Sequence, residues 1–101
     1  MYVVNSVINV TEEKVDEVIG IYQSRSRRVD EFEGFESFRL LQNENKPSEL
    51  TVQMKWKTKD SFLTWIKSPS YKEIHDLEKK YPDQELAAIK PKVSRFKVVA
   101  E

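Results

Sequence analysis

The sequence contains no cysteine and only one histidine. Without cysteine the chain forms no disulfide, no thiolate metal site and no thiol nucleophile. A single histidine leaves no two-histidine metal site, and a histidine/carboxylate site is not expected because Glu73 and Asp76 project from other faces of the helix. Glycine occurs only twice, so a glycine-rich phosphate loop is also missing. The chemistry open to the chain therefore centres on His75.

Neither sign of charge is in excess, because 17 basic residues face 17 acidic ones. Non-specific nucleic-acid binding needs a basic excess, so nucleic acid is not an expected partner. No apolar run approaches the length of a membrane span, and the first residues lack the pattern of a signal peptide. We therefore expect a cytoplasmic protein that acts on a small molecule. The length of 101 residues indicates a single domain, 1–101.

The apolar periodicity predicts strands and helices in the order β-α-β-β-α-β. Alternation predicts strands, whereas apolar residues at Val15, Val18, Ile19 and Tyr22 predict a helix. The predicted elements are a strand at 2–10, a helix from Thr11 to about Asp30, strands at 35–41 and 50–56 around a polar loop at 42–48, helices at 59–67 and from Ser68-Pro69 to Tyr81, and a strand at 93–99.

This order is typical of an α+β, ferredoxin-like βαββαβ protomer, with an antiparallel sheet and helices on one face. The even positions of the first strand are the more apolar and are expected to face the helices. Val3 and Val7 then lie on the other face, where a second copy of the chain would cover them. The pattern therefore predicts a homodimer.

His75 is the main candidate for chemistry. It follows Trp65 by ten residues and shares a helix face with Tyr71 and Ile74, so we expect the imidazole beside large aromatics on the buried side of the helix. In such a place it could ligate a metal or a haem iron, act as a general base, or simply bond a backbone carbonyl. Trp65 is either core or the wall of a flat cofactor pocket, and Trp56 is expected in the core.

Two further sets of polar residues are candidates. Ser6 lies on the apolar face of the first strand, and Asn5 points the other way unless a bulge reverses the alternation. Arg25, Arg27 and Arg28 are expected in the last turns of the first helix. There they either complement the helix C-terminus or pair with carboxylates of a ligand.

The residues quoted so far resemble a known family. The spacing of Trp56, Phe62, Trp65, Ser68, Tyr71 and His75 is similar to the second half of the antibiotic biosynthesis monooxygenase superfamily, most of all to the haem-degrading monooxygenases of the IsdG type. Glu33-Gly34-Phe35 resembles the junction that opens that family's second strand. The resemblance implies a dimeric α+β barrel, haem as both substrate and cofactor, dioxygen, and an external reductant from a reductase partner.

The resemblance also implies roles for individual residues. His75 matches the axial ligand of the haem iron, and Trp65 matches a tryptophan that distorts the haem. The family has an asparagine on the first strand that steers bound oxygen. Counting back from Gly34 puts Ser6 at that position, and Asn5 matches only with one inserted residue.

The resemblance extends to the cofactor pocket, where Tyr22, Arg25 and Tyr71 are expected to contact the haem. Two alternatives stay open beside haem degradation. One is a cofactor-independent monooxygenase for an aromatic or quinol-like substrate, with His75 as its base. The other is a non-catalytic dimeric module that binds a small ligand.

Overall fold

The computed structural model describes residues 1–101 and contains a four-stranded antiparallel sheet in the order β2-β3-β1-β4. The elements are β1 (Tyr2–Asn9), α1 (Val15–Gln23), β2 (Phe35–Asn43), β3 (Lys46–Trp56), α2 (Lys59–Ile66), α3 (Pro69–Lys79), α4 (Gln84–Ala87) and β4 (Lys92–Lys97), with short 3₁₀ helices at Glu12–Lys14 and Arg28–Glu31. The predicted ferredoxin-like α+β fold is confirmed. None of the helices has the length and apolar character that crossing a bilayer requires.

Strand β1 lies in the middle of the sheet and pairs with β3 on one side and β4 on the other. Neither pairing contains a register shift, so its side chains alternate without interruption. Tyr2, Val4 and Ile8 are buried against the helices, while Val3 and Val7 are only partly shielded on the opposite face. The predicted inward and outward faces of this strand are therefore confirmed.

The core lies between the sheet and the helices in two clusters. The larger one surrounds Trp56, which is fully buried as predicted and packs against Phe62 with its ring centroid 6.1 Å away. The smaller one joins Ile8, Val18 and Leu50. Burying a side chain of this size contributes roughly 1.5–3 kcal/mol to stability. The two clusters hold α1 and α2 firmly against the sheet.

The first helix is shorter than predicted, so the expected extension to Asp30 is wrong. Helix α1 ends at Gln23, and Arg27 adopts a left-handed backbone conformation with φ 59°. A helix cannot continue through such a residue. Arg25 and Arg27 consequently lie in the connection after α1, and Arg28 begins a separate 3₁₀ helix. The expected placement of these arginines in the last helical turns is corrected accordingly.

The predicted polar loop at 42–48 is also wrong, because most of it is strand. β2 and β3 meet in a tight hairpin in which the Asn43 Oδ1 atom accepts from the backbone N–H groups of Asn45 and Lys46, at 2.9 and 3.3 Å. The sequence prediction also missed α4, whose N-cap Asp83 accepts from the N–H groups of Glu85 and Leu86. Local side-chain-to-backbone bonds of this kind favour turns and caps.

Gly34 at the start of β2 offers a test of the junction. Its φ is +83°, and an added Cβ would lie 2.6 Å from the Ser61 Cβ and nearer still to its Oγ. We expect Gly34→Ala to destabilise the protein by about 2 kcal/mol or more, through backbone strain and overlap. Urea unfolding measures this change.

Gly20 in α1 is the matched control, because a Cβ there meets nothing within 4 Å. Gly20→Ala should stabilise the protein by about 0.5–1 kcal/mol through helix propensity. Adding Ser61→Gly to Gly34→Ala should restore part of the loss by removing the overlap. Equal urea midpoints for Gly34→Ala and the unaltered protein would contradict the account.

Candidate functional site

The corner between α2 and α3 positions the candidate residues. The Ser68 hydroxyl accepts from the Tyr71 N–H at 3.2 Å and donates to the Trp65 carbonyl at 2.6 Å. Pro69 follows as the first residue of α3, where its missing N–H costs nothing. These two hydrogen bonds of the Ser68 hydroxyl fix the turn. They place Trp65 at the end of one helix beside Tyr71 at the start of the next.

A run of aromatic rings leads from the core to the surface at this corner. Phe32 meets Trp65 edge-on at a centroid distance of 4.9 Å, Trp65 meets Tyr71 at 5.6 Å, and Tyr71 meets His75 at 4.2 Å. Edge-to-face and tilted contacts of this kind are favourable for aromatic pairs. The run brings Trp65, Tyr71 and His75 together, as the spacing in the sequence predicts.

The two ends of this run differ in exposure. Trp65 is 4% exposed, whereas the His75 side chain is 46% exposed. The expectation that His75 lies on the buried side of its helix is therefore wrong: Tyr71 and Ile74 pack against the larger core cluster, whereas His75, one turn beyond Tyr71, is exposed. The His75 Nδ1 atom is 3.9 Å from the Glu78 Oε2 atom. An accessible imidazole with a carboxylate on one side can serve as a ligand or as a base.

Two cavities lie near the candidate residues. The first, of about 360 Å³, lies between α1 and the strands β2 and β3, and Tyr22, Arg25 and Phe38 line it. The second, of about 560 Å³, lies at the corner of α2 and α3, and Tyr71 and His75 line it. Trp65 and Ser6 are not among the lining residues of either cavity. The structure thus places the predicted pocket residues in two separate groups.

The second cavity includes three residues that the sequence reasoning did not single out: Lys67, Lys72 and Lys79. Their signal was present in the sequence, since Lys72, His75 and Lys79 recur at the spacing of one helix face. Lysines at that spacing usually form a solvated surface, so the sequence alone does not indicate a binding role for them.

Ser6 and Asn5 lie on opposite faces of the sheet. Ser6 pairs with Val52 and Val93 and faces the helices. No bulge interrupts β1, so the alternative in which Asn5 turns to the helices does not occur. On the outer face the Asn5 Oδ1 atom is buried without a hydrogen-bond partner.

The three arginines after α1 are already paired with carboxylates. Arg25 stacks over the Phe38 ring at 4.2 Å and donates to both oxygens of Asp30, at 2.9 and 3.3 Å. Arg27 lies 3.6 Å from the same carboxylate, and Arg28 pairs with Glu73 on α3. A ligand carboxylate would have to compete with these partners.

Two tyrosines near the site remain neutral hydrogen-bond donors at physiological pH. Burial raises the pKa of Tyr22, and the nearby Glu78 raises it further. Burial also raises the pKa of Tyr71, with Glu78 acting in the same direction and Arg95 against it. Because the folded-state pKa values lie above the ordinary value, both phenols keep their protons well beyond neutral pH.

The sequence model of the antibiotic biosynthesis monooxygenase family matches residues 1–77. The chain belongs to this family. The assignment agrees with the four-stranded sheet and with the junction at Gly34, and the monooxygenase family suggested by the resemblance is confirmed.

Named relatives in the family are similar over most of the chain. A "heme oxygenase (staphylobilin-producing)" of Staphylococcus saprophyticus is 25% identical over all of this chain and 98% of its own length. A "heme-degrading monooxygenase" of Halalkalibacterium halodurans is 30% identical over 74% of this chain and 66% of its own length. Among solved structures, the heme-degrader MhuD of Mycobacterium tuberculosis, with two hemes bound in its active site, has a TM-score of 0.78 at 20% identity, covering 100% of this chain and 98% of MhuD. The similarity to MhuD, at 20% identity, shows that the two proteins share a fold.

Proposed function

We propose that this protein is a haem-degrading monooxygenase of the cytoplasm, which uses haem as substrate and cofactor together with dioxygen and an external reductant. The observation that carries the proposal is the exposed His75 at the end of the aromatic run from Trp65. The family and the names of its relatives support the same activity. A small-molecule ligand is expected, with a reductase as a separate partner.

The donor set of the site fits haem. His75 offers an accessible imidazole, which is a common axial ligand of haem iron, and Tyr71 offers an aromatic face beside it. Trp65 lies behind Tyr71 and becomes available to a flat ring only if α3 moves outward. Tyr22 and Arg25 line the other cavity, between α1 and the strands β2 and β3.

The chain's own residues have distinct tasks in this proposal. His75 would hold the iron, and Glu78, 3.9 Å from its Nδ1 atom, would orient the imidazole. Trp65 would press on the ring once α3 has moved outward, and Ser6, which lines neither cavity, would present its hydroxyl from the helix-facing side of β1. Bound haem supplies the iron at which dioxygen is activated and the ring that is oxidised.

A haemin titration followed by ascorbate, recorded as a visible spectrum, tests the proposed activity. We expect a Soret band that saturates at one haem per chain and then decays. Because the imidazole is the iron ligand, His75→Ala should weaken haemin binding about tenfold or more.

The matched control for this titration is Leu77→Ala, which shortens an exposed side chain on the same helix. It should bind haemin as the unaltered protein does. If His75→Ala binds haemin as tightly as the unaltered protein, the assignment of His75 as the iron ligand is wrong. If no Soret band appears at all, the haem proposal is wrong.

Ser6→Asn tests the strand position of the site. An asparagine there reaches further than serine and offers an amide donor, so we expect about threefold or greater acceleration of Soret decay with little change in haemin affinity. Asn5→Ser, on the opposite face of the same strand, should leave the decay rate unchanged. A rate that responds to Asn5 and not to Ser6 would reverse the assignment.

We also propose that two copies pack through the open face of the sheet. This face carries the half-buried Val3 and Val7 and the exposed Phe96 ring, with Leu41 at its edge, and polar residues of β3 such as Gln53 and Lys55 lie on it as well. It also holds the Asn5 Oδ1 atom without a partner. An apolar patch next to an unsatisfied acceptor is suited to a second protein surface that excludes water and supplies a donor.

Phe96→Glu should convert the dimer into a monomer at micromolar concentration, because it introduces a charge into the apolar interface. Light scattering measures the mass. Val93→Glu is the control: Val93 is 54% exposed against 48% for Phe96 but lies on the helix side of β4. A mass that is unchanged by Phe96→Glu, or a monomeric unaltered protein, would contradict the proposal.

A cofactor-independent oxygenase is the second candidate function. The contact between the His75 Nδ1 atom and Glu78 favours it, since a carboxylate beside an imidazole is typical of a general base. Turnover of a quinol in the absence of any metal, with no Soret band on adding haemin, would select this function. Inertness in both assays would leave a ligand-binding module.

A further inference from the structure

The cavity beside His75 has an unbalanced set of charges. Lys67, Lys72 and Lys79 line it, and Asp76 is the one acidic residue among its lining side chains. None of the three lysines has a carboxylate within 4.0 Å, as is true of every lysine except Lys14, whereas all three arginines after α1 have one. What sets these three lysines apart is that they line one cavity together. In a chain of zero net charge, this corner therefore keeps three ammonium groups without an acidic partner.

The lysines surround the imidazole from two elements. Lys72 and Lys79 lie three and four residues from His75 on α3, so they are about 5 and 6 Å away along the helix axis. Lys67 approaches from the end of α2. A lysine ammonium is a compact point charge on a flexible stem, which can follow a carboxylate or phosphate over several ångströms.

The arginines after α1 are poorly placed for the same task. Arg25 and Arg27 share the Asp30 carboxylate, and Arg28 is paired with Glu73. A ligand that used them would have to displace existing ion pairs. The lysines of the His75 cavity require no such exchange.

We infer that the molecule that binds at His75 carries acidic groups, and that Lys67, Lys72 and Lys79 receive them. The inference rests on the proposed function for the identity of the ligand: for haem, the acidic groups are its two carboxylates. The lysines select for the charged ligand, while His75 and Tyr71 contact its flat ring.

Haemin and haemin dimethyl ester provide the test, because they share the ring and iron but the ester has no carboxylate charge. We compare their affinities by Soret titration for the unaltered protein and for the triple variant Lys67→Gln, Lys72→Gln, Lys79→Gln. The triple variant should bind haemin about fivefold or more weakly, and the ester within about twofold of the unaltered protein. The haemin effect should shrink as salt rises from about 0.05 to 0.5 M, because exposed charges are screened.

A second triple variant is the matched control: Lys46→Gln, Lys57→Gln, Lys90→Gln removes the same charge from exposed lysines that do not line the cavity. It should leave both affinities unchanged, which separates local recognition from the effect of net charge.

Three outcomes overturn the inference in different ways. Equal haemin affinity in the unaltered protein and in the first triple variant shows that the lysines do not bind the carboxylates, while haem binding itself stands. An equal loss in both triple variants shows only a net-charge effect. Absence of a Soret band with either porphyrin removes the proposed function and this inference together.

Discussion

The double pairing of β1 is the constraint on which the rest of the site depends. Because β3 and β4 hydrogen-bond to its two edges without a register shift, the strand cannot slip by a single residue without inverting every side chain. A slip would expose Tyr2 and Val4 and turn the amide of Asn5 towards the core. The position of Ser6 on the helix side is thus set by the apolar residues on either side of it in the strand, and its chemistry follows from their packing.

Local sequence patterns correctly predicted the elements whose apolar residues recur with a clear strand or helix period. The alternation in β1 and the apolar stripe of α1 gave the right sheet and helix, and the helical spacing of Trp65 and Tyr71 gave their contact. The continuation of the helix to Asp30 was predicted wrongly because α1 ends at Gln23 and the chain then turns, with a left-handed backbone at Arg27. The periodicity of apolar residues does not indicate where such a turn occurs.

The exposure of His75 could not be predicted for a related reason. A helix that packs against the protein on one side buries a stripe of side chains. The width of that stripe depends on the layer it packs against, so it cannot be read from the sequence of α3 alone. Arg25 and Arg28 show the same limit, because their partners come from Asp30 and from Glu73, 45 residues further along the chain. The sequence gives the charges, and only the fold decides which of them are already neutralised.

The arrangement of the helices determines which one can yield to a ligand. Helix α1 buries Val18 against Leu50, and exposing such side chains costs about 1.5–3 kcal/mol each. Helix α3 buries no residue fully. From α3 as far as Tyr81, the polar contacts of the chain with the α1 side are exposed: Arg28 with Glu73, and the Tyr81 hydroxyl donating to Glu17 at 3.0 Å. Such contacts contribute about 0–1 kcal/mol each. The chain is anchored more firmly only beyond α3, where Lys14 pairs with Asp83 and Leu86 packs against the smaller core cluster.

A flat ring that touches both Trp65 and His75 must part the aromatic run at Tyr71. The least costly way to do so is to move α3, which carries His75 with it, and to leave α1 and the sheet in place. Elements that open for a ligand are drawn from the least stable parts of a fold. The residue with the clearest chemistry therefore lies on the helix that the protein can displace at the lowest cost, and the affinity of the site for its ligand includes that displacement.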